Sequence, residues 1–255
     1  MSLVRTARHA LTLAWRSLTK LRHSPDQLLD VIMLPIVLVL VLVNLFGNAV
    51  AGSTHAYLQY VLPGIAVQAL LFASLGIGIG LNTDLRNGIF DRFRSLPIAR
   101  SAPLIGYILG DVVKFVLSLA LVFALGAIVG FRTHGSVLGV LAACVLIMLF
   151  SFAASWVMAL AGLLARSPAS VTAFSFVLIL PLTFGSNVFV PTGRLPGWLQ
   201  AWVKINPVSD VSSAARGLML SLPLGNAVVA SLLWTAGIVA VFAPLATWAY
   251  RRRQA

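Results

Sequence analysis

The chain has 255 residues, 60% apolar and 9% charged, with eighteen Lys and Arg against six acidic residues and a formal net charge of +12. A soluble domain carries about 25% charged residues and could not hide this much apolar side chain in one core, so the composition excludes a water-soluble globule. The cations stand at the ends of apolar runs, where lipid headgroups would meet them, and that placement excludes a nucleic-acid face.

Residues 3–22 put Leu3, Val4, Ala7, Leu11, Ala14, Trp15, Leu18 and Leu21 on one helical face and Arg5, His9, Arg16 and Lys20 on the other. The pattern predicts an amphipathic helix lying along the membrane surface, with Trp15 among the headgroups. It anchors topology or braces a cytoplasmic partner, and Pro25 ends it. Six apolar stretches then approach or exceed the roughly 20 residues of a transmembrane helix: 30–47, 58–82, 104–130, 137–163, 171–190 and 226–249. They are continuous rather than alternating, which predicts helices and not barrel strands. Ala49-Val50-Ala51 after the first stretch resembles a signal-peptidase site, but the stretch is preceded by about 30 residues, longer than a usual n-region. The intact mass decides between the two.

Within the first two stretches, Asn44, Gln68 and Asn82 are expected to hydrogen-bond between helices; Gln68 is also a candidate for a transport path. Gly76, Gly78 and Gly80 permit close helix approach. Residues 84–100, DLRNGIFDRFRSLPIAR, form the one sizeable internal segment built for contact in water. Asp111 and Lys114, three apart on the third stretch, are expected to pair on one helix face near the cytoplasmic surface. Cys144 reads as a packing residue. Pro181 and Gly185 predict a kink or break in the fifth stretch, with Asn187 beside them as a further kink or pathway residue. Residues 191–225 are too long and too apolar for a plain connector. Trp198, Leu199, Trp202 and Val203 suggest one short amphipathic helix and residues 211–220 another, punctuated by Pro191, Pro196, Pro207 and Pro223. The expected pair caps the outer mouth.

Thirteen basic residues fall on one side: those of the N-terminal tail and the 83–103 loop, Arg166, and Arg251, Arg252 and Arg253. Arg132, Arg194, Lys204 and Arg216 fall on the other, so the positive-inside rule puts both termini in the cytoplasm. No GxxxxGK[ST] phosphate-binding loop, HExxH, CxxC or GxSxG occurs, and His9, His23, His55 and His134 are scattered. An intramembrane enzyme would need paired carboxylates, a histidine with a nucleophile, or a metal cluster at membrane depth, and Asp111 beside Lys114 supplies none of these. A channel or scaffold is the other rival; ATPase-dependent transport in vesicles separates it from an exporter.

The segment Asp84-Leu85-Arg86-Asn87-Gly88-Ile89-Phe90-Asp91-Arg92-Phe93-Arg94-Ser95-Leu96-Pro97-Ile98, together with Asn206-Pro207 and Ala214-Ala215-Arg216-Gly217-Leu218, resembles the ABC-2 permease family, and within it the daunorubicin-resistance-type exporters. Asp84 stands where the family often has Glu. The resemblance implies an all-α membrane protein: six transmembrane helices, the N-terminal interfacial helix, a cytoplasmic coupling helix after the second span, and short outer-face helices before the sixth. It implies a permease without a motor, paired with a second permease chain and with two cytoplasmic ATPase subunits that bind ATP and Mg, so that this chain holds no cofactor. In the coupling segment Ile89, Phe90 and Phe93 would enter a cleft of the ATPase, Asp84, Arg86, Asp91, Arg92 and Arg94 would set its charged rim, and Gly88 would allow the turn. The cargo implied is lipophilic or amphipathic, an antibiotic, drug or lipid, although polysaccharide and glycolipid exporters share the architecture. Fifteen Arg against three Lys fit a GC-rich bacterial genome and hence a bacterial cell membrane.

Overall fold

The computed structural model describes residues 25–88 and 102–253, and every regular element in them is helical. The expected amphipathic helix at 3–22 and the coupling residues Ile89, Phe90, Asp91, Arg92, Phe93 and Arg94 lie outside the described residues. In chain order the helices are α1 (Pro25–Ala51), α2 (Thr54–Arg86), α3 (Ala102–Gly110), α4 (Val112–Val129), α5 (Val137–Leu164), α6 (Pro168–Phe184), α7 (Gly197–Lys204), α8 (Pro207–Leu220) and α9 (Ala227–Arg253). A single 3-10 turn, Thr192–Arg194, precedes α7.

Four helical runs are long and apolar enough to cross a membrane: α2, the run Tyr107–Val129, α5 and Ala227–Arg252 of α9. Shorter apolar helices cover Pro35–Ala51 and Pro168–Phe184. Several helix starts are set by short polar side chains that satisfy the first free N–H groups. Ser53 Oγ accepts from Ala56 N (3.1 Å), Ser136 Oγ from Gly139 N (3.0 Å) and Ser167 Oγ from Ser170 N (3.2 Å). Pro25 and Pro168 open α1 and α6, where a missing N–H costs nothing.

The centre of the bundle is α2, which packs on α1, α4, α5, α6 and α8. Leu62, Ile65, Leu70, Ile77 and Leu81 are fully buried along it. Its closest crossing is with α5. A Cβ on Gly78 would stand 2.5 Å from the backbone oxygen of Met158, and one on Gly162 would strike the backbone of Gly78. Apolar surfaces gain nothing by leaving lipid for each other, so such backbone approach is what membrane helices use to associate. Asn82 seals the crossing, its Nδ2 donating to the carbonyls of Gly162 and Ala165, each at 2.9 Å. Outward faces remain apolar, with Val137, Val177 and Leu233 exposed, as suits lipid.

The helix ends gather at two rims. One carries Arg86, Arg166, Arg251 and Arg252, the last stacked over Trp248 at 5.3 Å. The opposite rim carries the ends of α1, α4 and α6, the starts of α2, α5 and α9, and the pair α7 and α8.

Three expectations are corrected. The fifth apolar stretch breaks where Pro181 and Gly185 predict, and so does not run helical to residue 190: α6 closes at Phe184, where Gly185 N bonds back to Pro181 O at 2.9 Å. The third is interrupted at Asp111, between α3 and α4. Asn44 does not reach another helix; its Nδ2 donates to Leu40 O within α1 at 2.7 Å. The two helices expected in 191–225 are present as α7 and α8, each opened by one of the foreseen prolines.

Candidate functional site

At the arginine-rich rim α2 ends in a turn that only the right residue permits. Gly88 has φ +65°, the left-handed region that costs other residues their Cβ clearance. The described part of the chain after α2 ends there. Asp84 is half-buried on the last turn of the helix. Arg86 Nη1 donates to the backbone oxygen of Arg166 at 3.0 Å, fastening the end of α2 to the connection between α5 and α6.

Deeper along the third apolar stretch, Lys114 Nζ lies 2.8 Å from Asp111 Oδ1. The expected pair is therefore formed, with Asp111 buried and Lys114 partly exposed. It sits on the interruption itself, after nine residues of α3 that carry the chain about 13 Å inward. Gln68 is 1% exposed on α2, and its Oε1 has no hydrogen-bond partner among the described residues.

The most developed polar arrangement stands at the opposite rim, and sequence reading reaches it only in part. After α6 closes, residues 185–190 run without helix against the first turns of α2. Tyr57, Tyr60 and Gly64 share one face of α2, three and four positions apart. The side chain of Val188 fills the space where a Gly64 Cβ would stand, at 2.8 Å. The tyrosines satisfy the carbonyls this stretch leaves free: Tyr57 Oη donates to Phe189 O (3.0 Å) and Tyr60 Oη to Asn187 O (2.6 Å).

Asn187 is the hub. Its Nδ2 donates to Ser213 Oγ (2.7 Å) and its Oδ1 accepts from Ser212 Oγ (2.6 Å), both on α8. Asn206 joins the same two elements from the other side. Its Nδ2 donates to Leu182 O (2.8 Å) and Gly185 O (3.1 Å) at the end of α6, while its Oδ1 accepts from Val208 N (2.9 Å) at the start of α8. One amide thus caps two helices at once.

Arg216, 7% exposed, closes the arrangement. Its guanidinium lies 3.9 Å over the Tyr60 ring, Nε donates to Tyr60 O (2.9 Å), and Nη2 donates to Asn187 O (3.2 Å). Burial pushes its pKa below the ordinary value, and proximity to Tyr60 acts the other way. The acidic residue of α8, Asp210, stands in its first turn, where a negative charge suits the helix dipole. Burial pushes that carboxyl up, a hydrogen bond with Trp234 opposes it, and Arg216 is not among the groups that shift it. The cation is held by carbonyls and a ring face instead of a counter-ion, a use for which arginine is suited and lysine is not.

Of the residues singled out from sequence, Pro181, Gly185 and Asn187 meet at this rim, while Asp84, Arg86 and Gly88 meet at the other. Asp111, Lys114 and Gln68 belong to neither. Tyr57 and Tyr60 are missed, while Asn206 and Arg216 are read as part of the family resemblance, and Arg216 as an outer cation, but neither as a site residue. A signal existed in Asn206-Pro207, since an amide before a proline marks a helix start. Among the described residues no three His, Cys, Asp or Glu gather to hold a metal.

The ABC-2 type transporter family matches residues 8–220 of the chain. The chain is 42% identical over 245 residues to the daunorubicin resistance ABC transporter permease protein DrrB1 of Streptomyces coeruleorubidus, a match covering 96% of this chain and 87% of that protein. It is 27% identical to the probable doxorubicin resistance ABC transporter permease protein DrrC of Mycobacterium tuberculosis, over 93% of this chain and 86% of the relative. A doxorubicin resistance ABC transporter permease protein DrrB of the same species matches at 27% over 68% of this chain and 60% of its own length.

Proposed function

Because this chain belongs to the ABC-2 type transporter family, we propose that it is the permease subunit of a drug-resistance exporter, moving a lipophilic or amphipathic compound out of the cytoplasm or inner leaflet. The observation that carries the reading is 42% identity, along 96% of the chain, to a daunorubicin resistance permease. Two ATPase subunits would bind ATP and Mg and drive it, and a second permease chain would complete the pathway. Both termini lie in the cytoplasm of a bacterial cell. Six crossings are made by α1, α2, α3 with α4, α5, α6 and α9, and α7 and α8 cap the outer face. The whole chain is a single transmembrane domain, with residues 1–27 as a cytoplasmic surface helix, 83–103 as the coupling loop and 191–225 as the outer helical loop.

Coupling runs through the segment after Gly88. Ile89, Phe90 and Phe93 seat in an ATPase cleft, and Asp84, Arg86, Asp91, Arg92 and Arg94 fix the register of docking. The mechanism is supported by the reach of α2. Its 33 residues span about 50 Å, from the coupling turn at one rim to Tyr57 and Tyr60 at the other. Closure of the ATPases pushes this rod, the outer cluster around Asn187 and Arg216 shifts with it, and the bundle passes from inward-facing to outward-facing. Gln68, half-way along α2, and the break at Pro181 and Gly185 are the candidates for the cargo path.

The test is affinity purification of the tagged chain from mild-detergent membranes, with doxorubicin accumulation measured in cells. A near-stoichiometric ATPase that is lost with Phe90→Ala or Arg92→Ala, together with drug accumulation rising to the level of cells without the transporter, is the expected result. Retention of ATPase and export in both variants would remove the coupling assignment.

A further inference from the structure

At the arginine-rich rim an apolar groove of about 340 Å³ opens on the face of α5, lined by Val157, Leu160, Ala161, Leu164, Phe174 and Phe242. Phe174 of α6 and Phe242 of α9 are its two flanks. From Val157 to Leu164 the groove climbs about 11 Å from the rim, most of the depth of one leaflet's hydrocarbon. Its shape accepts a single acyl chain.

The apolar lining cannot choose among lipids, because every lipid has such a chain and leaves an equally apolar surrounding to enter. The choice falls to the mouth. There the lining ends at Ala165 and the exposed hydroxyl residue Ser170, with exposed Arg166 between them in sequence. Arg86 is brought to the same corner by its 3.0 Å bond to Arg166 O, and Asn82 holds the adjacent carbonyl of Ala165 at 2.9 Å. Two cations are thus attached to one braced corner, next to Ala165 where the groove's lining ends. Asp84, two residues before Arg86, is about 200° away around the helix.

We propose that this groove binds one anionic phospholipid, its phosphate between Arg166 and Arg86 and one acyl chain between Phe174 and Phe242. The assignment of that lipid to the inner leaflet rests on the orientation proposed above; the binding itself does not. Bound there, the lipid bridges α5, α6 and α9 next to the turn where α2 meets the coupling segment, so membrane charge would bear on the coupling end of the transporter.

The test is native mass spectrometry of the full chain released from detergent with equimolar phosphatidylglycerol and phosphatidylcholine. A preference for phosphatidylglycerol of roughly tenfold is expected for two surface arginines. Arg166→Gln should lower the ratio to roughly threefold, the share left to Arg86, while Arg132→Gln, at the opposite rim, should leave it unchanged. Ala161→Trp should fill the slot and remove the retained lipid; if that variant fails to fold, Phe174→Ala should shorten retention instead. Equal retention of the two lipids by the unaltered chain, or a preference that Arg166→Gln does not diminish, would overturn the site. Phe174→Cys forming a disulfide with its counterpart in a second chain would also overturn it, by making this face a seam between copies. Labelling of a cysteine at position 166 from outside sealed cells would refute the orientation while leaving the lipid binding in place.

Discussion

Among the described residues no carboxylate meets the buried positive charge of Arg216, and its surroundings explain how it is held. Two carbonyls, Tyr60 O and Asn187 O, accept its hydrogen bonds, and a ring takes its face. Hydrogen bonds to a charged group contribute about 1.5–3 kcal/mol, and Asn187 O keeps Tyr60 Oη as a donor when the guanidinium is lost. Lysine keeps the charge but cannot serve both carbonyls and stack, so Arg216→Lys is expected to lose about 2 kcal/mol of stability. Asn187→Ala removes two side-chain bonds and should cost a similar amount, about 2 kcal/mol. Thermal unfolding in detergent measures both, and an unchanged midpoint would deny the cluster its structural weight. Glycines offer the cleaner contrast. Gly162→Ala drives a methyl into the Gly78 backbone and should cost about 1–3 kcal/mol. A Cβ on Gly76 meets nothing within 4 Å, so Gly76→Ala should be tolerated. The sequence run of Gly76, Gly78 and Gly80 announces close approach without saying which member makes it. Likewise Arg216 reads as one more outer cation, because its partners lie 156 and 29 positions away in the chain.

Elements were more legible than residues. Long apolar runs declare themselves by composition, and the prolines before α7 and α8 locate both helices to within a few residues. Pro181 and Gly185 mark the end of α6 at Phe184, but residues 185–190 stay apolar enough to pass for more helix; the tyrosines of α2, with Asn206 and Arg216, satisfy the carbonyls of that unwound stretch. The interruption at Asp111 carries no proline and leaves no mark beyond the charge itself. For α8 the burial pattern sets an expected protease map. Arg194 and Lys204 are exposed, whereas Arg216 is enclosed. Trypsin added outside sealed cells should therefore cut after Lys204 and spare Arg216, read by mass spectrometry of the fragments. Cutting at Arg216 in the folded protein would contradict the packing of α8 among α2, α5, α6 and α9.

For the whole molecule, the two rims should fail in different ways. Phe90→Ala is expected to lose the ATPase from the complex. Arg216→Lys should keep the ATPase bound yet raise the ATP consumed per drug molecule exported, because the motor still pulls on α2 while the far end holds less firmly. Reconstituted vesicles measure the ratio directly, and an unchanged ratio in Arg216→Lys would separate the cluster from transport. A different demand follows from the unbroken length of α2. Each residue of a helix adds about 100° of rotation and 1.5 Å of rise. Between Tyr60 and Arg86 the chain therefore counts as well as spells: one inserted alanine would turn the tyrosine face away from Asn187 whenever Arg86 still faced Arg166. A surface loop absorbs a change of length, but the spacing of those two positions is set by helical phase, which a substitution elsewhere does not reset.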